Sequence, residues 1–247
     1  MNKIRFFNFW VRFFAFRRLA VVLLAAAMAS GAAVSFAAED SGANAGQNGQ
    51  NSALLDRIQD HYKHTTSFSA KFTEELSGMG GTKRTRAGRV SYKRPGRMRW
   101  EFDAPQTETV VSDGHKLYDY QPDLNQVLEV PLDRAFKSAA PLSFLLGMGD
   151  LRRDFNVSIP AHAASDPMLR VVLTPKGGGD RVEMGLNPST YDLMAAKVTD
   201  ALGNTTSIRF TSVQTNVQLA DSMFRFQVPP GADVVLPPGA APPAQHL

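Results

Sequence analysis

Short segments in which apolar and polar residues alternate recur along this chain, and they constrain its fold more than any other feature. The clearest one follows the turn signal Pro95-Gly96. Apolar and charged residues alternate there in the order Arg97, Met98, Arg99, Trp100, Glu101, Phe102. Because successive strand side chains point to opposite faces, this segment predicts a β-strand with one apolar face. We expect that face to line an apolar cavity, and Arg94, just before the turn, to help close it.

Ten or eleven segments of this kind predict a mainly β protein. They cover residues 68–76, 82–93, 97–102, 107–112, 115–120, 125–130, 155–159, 169–174, 180–186, 193–199 and 204–215. Asp113-Gly114 between two of them is a strong hairpin signal. An antiparallel sheet of this length curls, so we expect an incomplete, unclosed barrel. Short helices would cover its open side, with space for a ligand between helices and sheet.

A helix is predicted before the first strand, over residues 52–63, with Ser52 as its N-cap. Its apolar residues recur at helical spacing and form one stripe: Leu54, Leu55, Ile58 and Tyr62. His61 and His64 near its end have a spacing found in metal sites. No third histidine lies near them in the sequence, so a solvated helix end is the stronger interpretation.

The period changes again between residues 133 and 155, where two short helices broken by glycine are predicted. Pro141 suits a first helical turn, and the apolar residues that follow it are Leu142, Phe144, Leu145 and Leu146. These helices are either a fixed cap over one end of the core or a movable lid. Short helices of this kind bury little area and open at low cost, which favours the lid.

Residues 1–37 read as a cleaved signal peptide, with a membrane anchor as the alternative. Five basic residues and no acid precede an apolar run, and Ser35-Phe36-Ala37 is a cleavage pattern. Five of the 27 basic residues lie in this segment, so 22 basic and 23 acidic residues remain in the mature chain. That balance gives no global argument for nucleic-acid binding. The predicted destination is outside the cytoplasm.

The remaining chain is expected to form one domain, residues 52–235. Residues 38–51 read as a disordered linker of small and polar residues, and residues 236–247 as a proline-rich disordered tail. The short C-terminal region argues against a further terminal strand.

Catalytic and metal-binding motifs are absent from the sequence. There is no cysteine, which excludes disulfides, thiol chemistry and a lipid-modified N-terminal cysteine. The five histidines are scattered, and no hydrolase, metalloprotease or nucleotide-binding fingerprint is present. We therefore expect a soluble protein that is not an enzyme and needs neither metal nor cofactor.

A basic run falls within 17 residues: Lys83, Arg84, Arg86, Arg89, Lys93, Arg94, Arg97 and Arg99. One interpretation is a solvated outer face of two paired strands, balanced by nearby acids. The other is a patch for an anionic surface or an acidic partner. Arg94 stands apart, because the following proline holds it extended at a strand end.

Six pieces of the chain, in this order and spacing, resemble the outer-membrane lipoprotein carrier family, LolA. They are Phe68-Ser69-Ala70-Lys71-Phe72-Thr73, Lys93-Arg94-Pro95 with Trp100, Val111-Ser112-Asp113-Gly114-His115-Lys116-Leu117-Tyr118, Pro141-Leu142-Ser143-Phe144-Leu145-Leu146, Leu173-Thr174-Pro175-Lys176, and Phe224-Arg225-Phe226 with Pro229-Pro230-Gly231. The extra arginines at 97 and 99 depart from the family pattern and could alter partner contacts.

The resemblance implies a periplasmic chaperone that shelters the acyl chains of lipoproteins under a helical lid. Arg94 corresponds to the family's closing arginine, expected to hydrogen-bond the lid helices when the carrier is empty. The expected cavity residues are Phe68, Phe72, Tyr92, Met98, Trp100, Phe102, Val110 and Leu117. The expected lid residues are Leu142, Phe144, Leu145 and Leu146. The implied partners are lipoprotein cargo, an inner-membrane ABC exporter and an outer-membrane acceptor, with the carrier a monomer.

Two other classes of function stay open at this point. One is a lipid-sensing regulatory protein of the same barrel superfamily, which would signal through a partner. The other is an all-β interaction protein that binds no lipid.

Overall fold

A computed structural model of the protein describes residues 41–78, 81–132, 150–160 and 165–236. Twelve strands form one sheet: β1 Ser67–Ser77, β2 Lys83–Lys93, β3 Arg97–Phe102, β4 Glu108–Asp113, β5 Lys116–Gln121, β6 Gln126–Pro131, β7 Phe155–Ser158, β8 Leu169–Pro175, β9 Arg181–Leu186, β10 Leu193–Thr199, β11 Thr205–Thr215 and β12 Asp233–Val235. Among the elements that lie wholly within these ranges, the α-helices are α1 Ser41–His64 and α2 Leu151–Asp154, and 3-10 helices span Pro122–Leu124 and Asp221–Phe224.

The strands lie in the order β12-β6-β5-β4-β3-β2-β1-β11-β10-β9-β8-β7. Every neighbouring pair is antiparallel except β12 with β6, which is parallel. Within the described ranges β12 and β7 are the two edges and do not pair with each other. The predicted incomplete antiparallel barrel, mainly β with short helices, is therefore confirmed, and all eleven predicted strands are present.

The twelfth strand contradicts the expectation that the C-terminal region adds none. β12 is only three residues long and pairs with a strand about a hundred residues earlier. Two hydrogen bonds anchor it: the Asp233 amide donates to the Asn125 carbonyl at 2.9 Å, and Asn125 Nδ2 donates to the Gly231 carbonyl at 2.7 Å. Such a short parallel pairing has too few residues to show an alternating pattern.

α1 begins at Ser41 and not at Ser52, so residues 41–51, predicted as a linker without structure, are helical. The two alanines and two glutamines of this stretch are good helix formers, but its three glycines are poor ones, so its composition gave no helix signal. The predicted stripe is present further on, since Leu55, Ile58 and Tyr62 are buried against the sheet and Leu54 packs beside them.

The inner face of the sheet is the face on which α1 packs; on β1–β3 it carries Phe68, Phe72, Tyr92, Met98 and Trp100. Across β8–β11 it continues with apolar residues that lie in register. They are Val171, Met184, Ala196 and Ile208. α1 therefore covers the β8–β11 half of the inner face and makes the main core.

α2 is the second short helix that the sequence predicts, and it docks on α1. The Asp150 carboxylate caps its first turn by accepting from the Arg153 amide at 2.8 Å. The Leu151 amide donates to Gln59 Oε1 of α1 at 2.9 Å, and Leu151 is fully buried. The rest of the predicted lid, with Leu142, Phe144, Leu145 and Leu146, lies outside the described residues.

The outer face carries a second packed layer, the C-terminal strap (residues 217–228). Phe224, in its 3-10 helix, is fully buried where the strap contacts β3 and β4. Further along, Phe226 stacks on Tyr118 with ring centroids 5.2 Å apart. The strap therefore buries apolar residues on the side of the sheet that faces away from α1.

Three residues of the basic run hold this strap. Lys93 Nζ and Arg97 Nη1 each lie 2.6 Å from Asp221 Oδ1, and both cations lower the pKa of that carboxyl. Arg99 Nη1 donates to the Met223 carbonyl at 3.3 Å. Arg97 and Arg99 thus have partners within their own chain, on the outer face of the sheet.

Candidate functional site

The β2–β3 turn fixes where Arg94 can reach. Gly96 has a φ of +63°, in the left-handed region that favours glycine. A Cβ at this position would lie 3.1 Å from Leu132 Cδ2, so the turn is also closely packed. The buried Ser112 hydroxyl donates to the Gly96 carbonyl at 2.8 Å. The turn is therefore tied to β4 and presents Arg94 from a fixed base.

Arg94 holds the C-terminal turn of α1. Its Nη1 donates to the Lys63 carbonyl at 3.1 Å, and its Nη2 donates to the Tyr62 carbonyl. The last carbonyls of a helix have no partner within the helix and carry its negative dipole end, so a guanidinium suits them. The Arg94 amide also donates to the Thr66 carbonyl at 2.9 Å. We call these contacts the Arg94 latch.

Arg94 was predicted to hydrogen-bond the lid helices, and the helix that it is seen to bind is α1. The contact predicted with the lid helices falls largely on residues outside the described ranges. Arg94 also reaches the inner face, because it hydrogen-bonds the Tyr92 hydroxyl. Burial raises the pKa of Tyr92 to about 12, and the nearby guanidinium only partly offsets that effect.

A second set of contacts joins the same turn of α1 to the loop between β9 and β10. His61 Nε2 lies 3.3 Å from Asp192 Oδ1, and the Tyr62 hydroxyl donates to the Tyr191 carbonyl at 3.3 Å. The prediction of a solvated helix end is correct for His64, whose side chain is 77 % exposed. It is wrong for His61, which is 21 % exposed because the β9–β10 loop packs over it.

Between these contacts and the inner face lies a small cavity of about 70 Å³. Most of its lining is apolar. The lining residues are His61, Tyr62, Thr65, Phe68, Val90, Tyr92, Met98, Trp100, Asp192, Leu193, Phe210 and Thr215. Four of the residues expected at the cavity are among them: Phe68, Tyr92, Met98 and Trp100.

The other four expected residues lie on the same face without lining this cavity. Phe72 is buried, with ring centroids 4.8 Å from Trp100 and 5.1 Å from Phe102. Leu117 packs against Tyr92 and Met98, and Val110 is paired in register with Trp100. They extend the apolar surface away from α1, beyond the space that is open in this structure.

The sequence missed several lining residues for two reasons. Val90 follows the same period-two pattern as Tyr92 and could have been found by it. Phe210 and Leu193 belong to the other half of the sheet. Phe210 reaches the site because β1 pairs with β11, which places it opposite Phe72, and no local pattern reveals such a long-range register.

The inner face also carries a charged cluster that the sequence did not predict: Glu74, Arg86, Glu108 and Asp119. Arg86 lies 2.6 Å from carboxylate oxygens of both Glu74 and Glu108, and its guanidinium stacks 3.9 Å from the Phe102 ring centroid. Burial, and after it the Glu108 charge, raises the pKa of Asp119 to about 7. The apolar surface thus ends at charged groups on the side away from α1. Arg86 points inward, contrary to the expectation of an outer basic face.

The part of the chain that the structure describes has neither a metal-binding cluster nor a helix that could span a membrane. No group of three or more histidine, aspartate or glutamate side chains there could hold a metal ion. None of the helices there combines the length and hydropathy needed to cross a bilayer.

The comparisons with known proteins agree with one another. Residues 63–227 match the family model described as outer membrane lipoprotein carrier protein LolA. Curated relatives carry the name outer-membrane lipoprotein carrier protein. The one from Methylobacillus flagellatus is 33 % identical over 73 % of this chain and 88 % of its own length. Those from Cupriavidus necator and Ralstonia nicotianae are 36 % and 34 % identical, over 74 % and 87 % of this chain and 88 % and 98 % of their own lengths. The chain therefore belongs to the LolA family of outer membrane lipoprotein carrier proteins.

Proposed function

We propose that this protein is a periplasmic chaperone that carries lipoproteins by sheltering their acyl chains against the inner face. The observation that carries the proposal is the apolar cavity itself, which lies between that face and α1, with Arg94 bound to two of its lining residues, Tyr62 and Tyr92. Membership of the lipoprotein carrier family supports it.

The size of the cavity favours a carrier that opens to load. A space of about 70 Å³ holds only a handful of water-sized molecules, far less than the acyl chains of one lipoprotein. Each buried methylene contributes about 0.8 kcal/mol, so several long chains could in principle gain tens of kcal/mol. Non-covalent affinities stop near ~20 kcal/mol, and a carrier must also release its load. The energy needed to move α1 away from the sheet would oppose binding and keep release within reach.

The Arg94 latch has the strength that such an opening step needs. Hydrogen bonds to a charged group contribute roughly 1.5–3 kcal/mol each. Two of them hold the closed state appreciably, and cargo burial can still displace them. The latch would therefore set the balance between the empty and the loaded carrier.

The proposal extends to the protein's location and its partners. A cleaved signal in residues 1–37 would deliver the chain to the periplasm as a monomer. Cargo would come from an inner-membrane lipoprotein-releasing ABC exporter and pass to an outer-membrane lipoprotein acceptor. Nucleic acid, cofactor and metal have no part in this cycle, and neither does catalysis.

The test is the release of a triacylated lipoprotein from inner-membrane vesicles that contain an active exporter. With ATP and the purified chain from residue 38 onward, cargo should appear in the soluble fraction as a complex with the carrier. Vesicles without ATP are the control. If cargo stays in the membrane while a known carrier of the family releases it under the same conditions, the proposal is wrong.

A further inference from the structure

The last turn of α1 is held from two sides, by an arginine on one side and by a histidine–aspartate pair on the other. On the β2–β3 side, the Arg94 guanidinium binds the carbonyls of Tyr62 and Lys63. On the β9–β10 side, the side chains of His61 and Tyr62 reach Asp192 and the Tyr191 carbonyl. α1 therefore bridges the two halves of the sheet across the cavity mouth.

The β9–β10 loop is built to present the Asp192 carboxylate. Thr190 Oγ1 donates to Asp192 Oδ2 at 2.7 Å, and the Asn187 amide donates to the Asp192 carbonyl at 2.9 Å. Tyr191 adopts a left-handed φ of +62°, an uncommon conformation for a bulky residue. Asp192 Oδ1 is buried and lies 3.3 Å from His61 Nε2, and the charge of Asp192 also helps to raise the pKa of the nearby Tyr62 hydroxyl.

We propose that His61 and Asp192 form a second, proton-dependent clasp on the cavity mouth, so that opening for cargo becomes easier as His61 loses its proton. This inference rests on the proposed carrier function. Imidazole is the side chain whose charge ordinarily changes near neutral pH. A protonated imidazole attracts the Asp192 carboxylate and also suits the negative end of a helix, whereas a neutral one keeps only a weaker polar contact. Arg94 stays charged throughout, so the two clasps respond differently to pH.

The other groups around His61 do not explain such a response. From α1 itself, Tyr62 is adjacent, and its burial raises the pKa of its hydroxyl far above neutral. From β2, Tyr92 lines the same cavity with a pKa of about 12. From the β9–β10 loop, Asp192 is the facing charge and Tyr191 the facing ring, with centroids 6.4 Å apart. The other basic groups at this turn are Lys63 and His64 of α1 and Arg94 from the β2–β3 side.

Two carboxyls elsewhere on the sheet can also titrate near neutrality and must be separated from His61. Burial raises the pKa of Asp119 to about 7 and that of Asp180 to about 6. Neither lines the cavity. A dye-uptake rate that varies with pH in the wild type would therefore not by itself identify His61 as the titrating group. The test compares variants for this reason.

The experiment measures the rate at which the neutral apolar dye Nile red enters the cavity, from about pH 5.5 to about pH 8, a range that spans ordinary imidazole titration. The variants are His61→Gln, Asp192→Asn, and the matched control His64→Gln. His64 lies three residues further on, also beside a carboxylate, Asp60 at 3.5 Å, but it faces solvent. Asp119→Asn is the second control.

In the wild type, and in both controls, uptake should rise about two- to fivefold with pH, the size expected of one partly exposed ion pair. In His61→Gln and Asp192→Asn it should be fast at every pH. An unchanged pH dependence in His61→Gln, with circular dichroism showing a folded protein, would overturn the proposal. So would a wild type whose uptake does not vary with pH. The proton-dependent clasp and the carrier function fail separately, because lipoprotein release from vesicles is scored at a single pH.

Discussion

Arg94 occupies a position that leaves its side chain little choice of partner. Its amide is bonded to Thr66, the next residue is Pro95, and the turn beyond is anchored through Ser112. The guanidinium therefore meets the end of α1 as a group that is already oriented, at a low cost in side-chain entropy. The sequence predicted this residue because a strand end before proline is restricted, but it could not predict which carbonyls would accept.

Replacing Arg94 tests the latch. Arg94→Leu removes both hydrogen bonds to α1, each contributing about 1.5–3 kcal/mol, and so destabilises the empty, closed state by about 3–6 kcal/mol. Cargo binding should then tighten by roughly tenfold or more, because less closing energy opposes it. Transfer of a bound lipoprotein to an outer-membrane acceptor should stall, as measured by the cargo left on the carrier.

The control for this change is Arg89→Leu, which removes an exposed arginine from β2, the strand that Arg94 follows. It should transfer cargo normally. Normal transfer by Arg94→Leu as well would show that the latch has no part in hand-over.

Asp119 gives a prediction about stability and pH. Its pKa in the folded protein is raised to about 7, from 3.8 for an unperturbed carboxyl. Between these two values the unfolded chain has lost this proton while the folded chain keeps it, so this group makes stability fall as pH rises. Asp119→Asn removes the effect and keeps the shape.

The variant should therefore be more stable than the wild type by at least about 1 kcal/mol at pH 8, with the difference shrinking towards pH 4. Urea unfolding at several pH values measures it. A difference that does not vary with pH would contradict the assignment of a raised pKa to Asp119.

At the scale of elements, the strands with regular alternation were predictable and the C-terminal strap was not. β1 and β2, for example, bury alternate residues along one face, which leaves a period-two pattern in the sequence. The strap has no period, because its contacts are single anchors: Phe224 in the core of the outer layer, Phe226 on Tyr118, and Asp221 between two cations. The sequence did not show that the strap supplies partners for the basic run, such as Asp221 for Lys93 and Arg97.

Phe224 is predicted to be the main anchor of the strap. Phe224→Ala removes a fully buried ring and should lower the free energy of unfolding by about 3–5 kcal/mol. Met223→Ala is the matched control, since its side chain is next in sequence and 37 % exposed, and it should cost far less. Denaturant unfolding of both variants decides, and equal losses would mean that the strap is not held by Phe224.

At the scale of the whole molecule, the apolar site is a property of two halves of the sheet brought together. The sequence predicted the cavity-lining residues of β1 to β3 except Val90, because their strands alternate. The opposite wall, with Phe210 and Leu193, depends on β1 pairing with β11 and on α1 packing across the β8–β11 half. Those are long-range pairings between segments more than a hundred residues apart, which local periodicity does not determine.

The central claim is that acyl chains of the cargo lie against the inner face, and cross-linking tests it most directly. A diazirine-bearing residue is placed at Met98, which lines the cavity, or at Arg89, which is exposed on the opposite face of the sheet. After loading with a triacylated lipoprotein and illumination, a carrier–cargo adduct joined through an acyl chain is expected from position 98 and not from position 89. It should disappear with cargo that lacks acyl chains. Equal adducts from both positions, or adducts from position 89 alone, would contradict the account.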